Sequence, residues 1–142
     1  MPHQLLYGSV AVHAFPHPTD FDILRTSHAN NAAKGMTGFL IRTPVHFLQL
    51  LEGRKDDIDA AMARIQTDDR HLGLRIFYRG EAEQRSFQSW EMGFAGLDDD
   101  RLDVAMRTAP ENDAESAFAL IALMKELSKE RHNSRARWEN VG

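Results

Sequence analysis

Tyr7, Asn31, Gln49 and the Trp90-Glu91-Met92 triplet are the residues whose chemistry stands out, because each sits in a stretch whose neighbours read as core. A phenol, two carboxamides, an indole and a thioether make poor hydrolytic machinery. They suit an aromatic heterocycle that carries carbonyl and ring-nitrogen acceptors, since a carboxamide offers a donor and an acceptor on one group and a phenol can do either. Other polar clusters carry less. His13 and His17 straddle Pro16 with no organising partner, so no metal site is expected. Asp56 and Asp57 suit the positive end of a helix.

Length and composition limit the answer. The chain has 142 residues, 42% of them hydrophobic, enough for one domain with a real core and an appended helical segment. Its formal charge of −4 gives no reason to expect nucleic acid or an anionic membrane as partner. Lys125, Lys129, Arg131, Arg135 and Arg137 form a basic end, but cations also suit a helix C-terminus. With no cysteine there are no disulfides, thiolate zinc sites or cysteine nucleophiles. No apolar run reaches the roughly 20 residues that span a bilayer. Met1 is not followed by a basic and then apolar leader pattern, so the expected location is cytoplasmic.

The elements that must hold these side chains can be read from period and punctuation. Gln4 to His13 alternates as a strand, ended by Pro16 and Pro18. Thr19 to Asp22 resembles a capping box that opens a helix running to about Ala33, with Gly35 as its cap. Met36 to Arg42 and His46 to Leu51 flank Thr43-Pro44-Val45 as a hairpin. A second helix runs from about Lys55 to Thr67, followed by strands at Leu72 to Tyr78 and Ser86 to Phe94. The order β-α-β-β-α-β-β predicts an α+β, ferredoxin-like sheet, mostly antiparallel, with both helices on one face. The character changes after Gly96, where Asp98 to Arg107 and Glu115 to Glu130 read as C-terminal helices separated by Pro110. The last dozen residues are polar and are expected to fray.

On this framework the polar positions converge. Gln49 shares a strand face with Phe47 and Leu51, Tyr7 with Ser9, and Trp90 with Met92 and Phe94. Ile23, Ser27, Asn30 and Asn31 fall on one side of the first helix. An unpaired buried carboxamide costs on the order of 1–3 kcal/mol, so Gln49 needs a partner. Taken singly, Tyr7 reads as a packed aromatic with a wet hydroxyl and Trp90 as core, and Asn30-Asn31 reads as helix-end chemistry. Taken jointly, they line a polar slot.

Five segments in register carry a resemblance to a known family. They are Leu6-Tyr7-Gly8-Ser9, Asn30-Asn31 before Gly35-Met36-Thr37-Gly38, Phe47 to Gly53, Asp68-Asp69-Arg70-His71, and Phe87 through Ser89-Trp90-Glu91-Met92. Over about residues 4–95 the chain resembles the BLUF domains, blue-light sensors that use FAD, with Gly8 as a variation within the first motif. The resemblance implies that Tyr7 donates to photoexcited flavin and that Gln49 bridges the phenol to the flavin and switches. It implies that Asn31, with Asn30 beside it, holds the pyrimidine edge, that Ile23 and Ile65 clamp the ring, and that Ser9 and Ser27 face the slot. Arg64, Asp68, Arg70 and His71 would hold the ring or its ribityl-phosphate side, and Trp90 with Met92 would exchange places near Gln49.

The expected division is a photosensor over residues 1–96 and a helical cap or oligomerisation segment over residues 97–142, with FAD as cofactor and FMN or riboflavin as substitutes. A photoreceptor of this kind is no enzyme and works through an effector that the sequence does not name. Leu102, Met106, Phe118, Leu120, Ile121, Leu123, Met124 and Leu127 either cover the open sheet face or form a dimer seam; the cover is favoured, with a homo-oligomer on top of it. Two alternatives stand: a flavin-free ferredoxin-like binding module, and a small flavin-dependent oxidoreductase. The second lacks a G-x-G-x-x-G fingerprint for a nicotinamide donor.

Overall fold

The computed structural model describes residues 1–14, 17–95 and 99–141, without the side chains of residues 24 and 131–141. Five strands and four helices follow in the order β1 (His3–Ala11), α1 (Pro18–Ala33), β2 (Thr37–Arg42), β3 (His46–Gly53), α2 (Lys55–Gln66), β4 (His71–Glu81), β5 (Trp90–Phe94), α3 (Arg101–Thr108) and α4 (Ala114–Val141). The strands form one sheet in the order β4-β1-β3-β2-β5. Strand β1 runs antiparallel to both β3 and β4, β2 is antiparallel to β3, and β5 is parallel to β2. The first four strands are thus the ferredoxin-like order expected, each β-α-β unit leaving one strand between its two ends.

Alternation along the strands divides the core into two layers. Leu5, Tyr7, Leu40, Phe47, Leu51 and Trp90 face α1 and α2, where Ile58, Ala61 and Met62 meet them. Leu6, Phe39, Ile41, Leu48, Leu50 and Phe77 face the other way and are covered by Leu102, Met106, Ala117, Leu120, Ile121, Met124 and Leu127 of α3 and α4. The C-terminal helices therefore cover the second face, with Leu123 partly buried at its edge and Phe118 half exposed against the Tyr78 ring. Gly8 permits this close cover. A Cβ there would lie 2.4 Å from Met106 Cε and 2.9 Å from the Phe77 ring.

Local chemistry moves several boundaries. β1 stops at Ala11 rather than His13, while Pro16 lies outside the described residues. The first helix is capped by His17 instead of Thr19: the His17 ring accepts from the Thr19 amide, and the Asp20 carboxylate accepts from the His17 amide at 2.9 Å. Pro18 explains the shift, since it has no N–H to satisfy and its φ is already set for a helix. β4 runs longer than Leu72–Tyr78 because it pairs along β1 from Ala11 back to His3, with register shifts between Leu6 and Tyr7 and between Gly8 and Val10. β5 is shorter than expected, because the Ser86 and Phe87 amides bond the Glu52 carboxylate rather than a neighbouring strand. The boundary at Gly96 and the helix start at Asp98 lie outside the described residues.

Helix α4 opens on Asp113, whose carboxylate accepts from the Ser116 amide at 3.0 Å, and its backbone stays helical to Val141. The last dozen residues thus extend the helix where fraying was expected, as the stretch holds no proline and no glycine before Gly142. Of the basic end, the side chains of Arg131, Arg135 and Arg137 lie outside the described ones.

Glu52 closes the sheet end. Fully buried, it accepts from Gln4 Nε2 at 2.7 Å, Thr37 Oγ1 at 3.1 Å, and the Ser86 and Phe87 amides at 2.6 and 3.0 Å. Removing the carboxylate orphans buried donors on three segments. Glu52→Ala is expected to lower the unfolding free energy by about 3 kcal/mol, read from urea denaturation.

Candidate functional site

The β1-β3 register sets Tyr7 directly opposite Gln49, and β2-β3 pairing puts Leu40 on the other side of Gln49. All three point to the α1-α2 face. The Tyr7 hydroxyl donates to Gln49 Oε1, with both residues buried, at 4% and 2% exposure. Burial, and secondarily the Asp68 charge, holds the Tyr7 phenol well above its ordinary range. With Oε1 engaged, Gln49 Nε2 has no partner among the described residues and remains a free donor.

Tyr7 and Gln49 form the floor of a half-open cleft between the sheet, α1 and α2, with about 740 Å³ of atom-free space including its mouth. Ser9, Ile23, Ser27, Asn30, Asn31, Arg64, Ile65, Asp68, Arg70 and His71 all line it, as does Phe47. Thr26, Leu40 and Ala61 also line it without standing out in the sequence. Helical spacing could have found two of them, since Thr26 lies one turn from Ile23 and Asn30, and Ala61 one turn from Ile65.

Trp90 and Met92 are placed differently. They belong to the same core layer but do not line the cleft. Trp90 packs over Gly38, where a Cβ would stand 3.3 Å from the indole and only 1.9 Å from the Leu50 carbonyl oxygen. Its Nε1 is buried with no partner among the described residues.

Charge gathers on one wall of the cleft. Arg70 grips Asp68 in a fork, Nε to Oδ1 at 2.8 Å and Nη2 to Oδ2 at 2.5 Å. The bond from Arg70 keeps the Asp68 carboxyl below the usual carboxylate range. His71 Nε2 lies 3.1 Å from the Ile65 carbonyl, so this nitrogen carries the proton, and Nδ1 is left buried and unpartnered. Ser9 Oγ is likewise buried without a partner, and the nearly buried Asn31 carboxamide makes no hydrogen bond among the described residues. Such a cleft is lined by polar groups whose hydrogen bonds the protein does not complete, flanked by Ile23 and Ile65. A flat heterocycle with acceptors and an N–H on its edges matches this donor set. No group of three or more possible metal ligands occurs among the described residues, and no described helix is long and apolar enough to cross a membrane.

A ferredoxin-like sheet whose centre carries an unfinished polar floor under two helices defines a small ligand-binding α+β module. The family model described as sensors of blue-light using FAD matches residues 3–93, and the chain belongs to this family, BLUF, whose domains bind flavin. Among curated proteins, the beta subunit of a photoactivated adenylate cyclase from Euglena gracilis is 29% identical over 87 residues, which is 61% of this chain and 10% of that protein. The alpha subunit from the same organism is 28% identical over 87 residues, or 61% of this chain and 8% of its own length. The chain thus spans about a tenth of these relatives. Among solved structures, the dark state of BlrB, a BLUF protein, superposes with a TM-score of 0.72 at 26% identity, covering 88% of this chain and 96% of the other. The photo-activated state of BlsA shares the fold, with a TM-score of 0.70 at 21% identity over 88% of this chain and 95% of that one.

The Tyr7 phenol has a raised pKa, so the folded state holds its proton more tightly than the unfolded chain does. The stability this contributes is complete below the ordinary tyrosine value of 10.0 and is lost as pH rises above it. The stability advantage of the native chain over Tyr7→Phe is therefore expected to shrink above about pH 10, measured by urea unfolding at stepped pH.

Proposed function

We propose that the chain is a blue-light photoreceptor that holds FAD in the cleft above Gln49 and signals by reversing the hydrogen bonding of that residue. The observation that carries this is the Tyr7-Gln49 pair on the cleft floor, with a donor of Gln49 left over. Asn31, with Asn30 and Ser27 beside it, would hold the polar edge of the ring, while Ile23 and Ile65 pack its faces. Arg64, Asp68, Arg70 and His71, which share the lining, would hold the ring or its ribityl-phosphate side, and Ser9 would supply a further hydroxyl. BlrP1 from Klebsiella pneumoniae, 28% identical, has been solved with FMN, so the same cleft could accept the shorter flavins.

When bound, the flavin supplies blue-light absorption and an excited state that accepts an electron. Tyr7 would give up the electron and, along the existing bond to Gln49 Oε1, a proton, while Gln49 would release one from Nε2. When electron and proton return, the carboxamide is left reversed or tautomerised, its donor and acceptor exchanged with no backbone movement. Only hydrogen bonds have changed, so the state decays in the dark.

One rearranged hydrogen bond is worth about 0.5–1.5 kcal/mol, whereas moving an equilibrium from 1:99 to 99:1 takes about 5.5 kcal/mol. Amplification is therefore required. β5 is the candidate, because it carries Trp90 and Met92 on its cleft side while Glu91, between them, points the other way. There the Glu91 carboxylate accepts from Ser128 Oγ of α4 at 2.8 and 3.0 Å. Residues 1–96 would sense and residues 97–142 would transmit to a partner, through a homo-oligomer built on the helical cover.

Purified protein is expected to be yellow with FAD and to show a reversible red shift of its flavin band under blue light. Gln49→Leu should keep the colour and lose the shift; a colourless protein that takes up no FAD, or a shift that survives Gln49→Leu, would sink the proposal. Met92→Ala is expected to retain the shift but change its dark decay severalfold, followed by absorbance after a light pulse, and an unaltered decay would remove Met92 from the path.

A further inference from the structure

Helix α1 roofs the cleft, and its described side chains form no apolar stripe of the kind that normally fixes a helix to a sheet. Among its described side chains only Asp20 and Asn31 are buried, at 2% and 3% exposure, and both are polar. Ile23 and Ser27, half-buried, lie between these two residues and line the cleft. Asp20 ties the N-terminal end of the roof to the sheet by a hydrogen bond.

The pin at Asp20 is built on Arg42, which is fully buried at the end of β2. Arg42 Nε bonds Asp20 Oδ1 at 3.0 Å, Nη1 bonds the Thr43 carbonyl at 2.6 Å, and Nη2 bonds the His13 carbonyl at 2.7 Å. The guanidinium stands 5.0 Å from the centroid of Phe47, a residue of the cleft floor. Its main-chain carbonyl also accepts from the Ala95 amide at 2.8 Å, just past β5. One residue therefore touches the roof, the floor and the end of the strand that leaves the site.

A buried ion pair is a poor choice for stability alone, because well-packed apolar residues of similar volume often do as well. What a planar, forked cation adds is direction, since its donors fix where each partner must lie. We infer that Arg42 is a positioning residue for the flavin: through Asp20 it sets the height of α1 above the sheet, and so the width of the cleft and its affinity for the ring. The inference rests on the flavin reading of the cleft and adds a residue that lies outside it.

The test uses the full chain and FAD, with the double variant Asp20→Leu/Arg42→Met as the decisive protein and Arg42→Lys, which keeps the charge but loses the fork, as the second. The double variant is expected to unfold at a urea midpoint close to that of the native chain while binding FAD roughly tenfold more weakly, because the roof must be ordered at the moment of binding. Without flavin, its amides over residues 20–31 should take up deuterium severalfold faster than those of the native chain. At saturating FAD its light-induced shift should decay at an altered rate. Native affinity together with native deuterium uptake in the double variant overturns the inference. If the double variant does not fold, Arg42→Lys decides: weaker FAD binding with faster uptake in α1 supports the positioning role, and native values for both overturn it. Should the native chain bind no FAD, the flavin reading falls, while the uptake comparison still tells whether Arg42 fixes α1.

Discussion

A carboxamide in the middle strand of a sheet, buried on both sides, has to find its hydrogen bonds within reach or cost the fold on the order of 1–3 kcal/mol. Gln49 meets that constraint with one neighbour, because register gives it Tyr7 on one side and only Leu40 on the other. The bond uses the carbonyl oxygen and leaves the amino group open. Most of what surrounds the cleft follows from that half-satisfied state: a phenol kept protonated by burial, a wall of unspent polar groups, and a space the protein does not fill with its own side chains.

The two faces of the sheet answer this differently. Toward α3 and α4 the layer is aliphatic and aromatic, tightened by the missing side chain at Gly8, and reads as ordinary close packing. Toward α1 and α2 the apolar residues crowd beneath α2, around Ile58, Ala61 and Met62, while the described side chains of α1 contribute little apolar area. A closed face gives the sheet a rigid back, and the open face is left to carry the cleft. The same asymmetry shows what α3 and α4 do: without them the strands would present Leu6, Phe39, Leu48 and Leu50 to water.

Much of this was legible in the sequence because it depends on period and local chemistry. Alternation in β1 and β3 put Tyr7, Ser9, Phe47 and Gln49 on one face, and helical spacing did the same for Ile23, Ser27 and Asn31. The elements that escaped depend on long-range pairing. Nothing near Arg42 in sequence announces that Asp20 of α1 will meet it, and Glu52 reads only as the end of a strand until the segment before β5 brings Ser86 and Phe87 to it. His17 displaced Thr19 as helix cap because a proline followed it, which is local but hinges on the path of the preceding loop. Trp90 and Met92 fell on the expected face, yet the closeness of the indole to Gly38 holds them beside the cleft rather than in its lining.

The position of β5 has a consequence for any device that takes its output there. It is an edge strand of five residues and runs parallel to β2, the pairing with the weaker ladder. A strand held this lightly will release now and then by thermal motion alone, since local openings draw on the least stable parts of a fold. A sensor read through β5 would therefore have a background rate of false alarms in darkness. Fastenings such as the Ser128 hydroxyl on Glu91 and the Ala95 amide on the Arg42 carbonyl then act as a threshold, trading sensitivity for quiet.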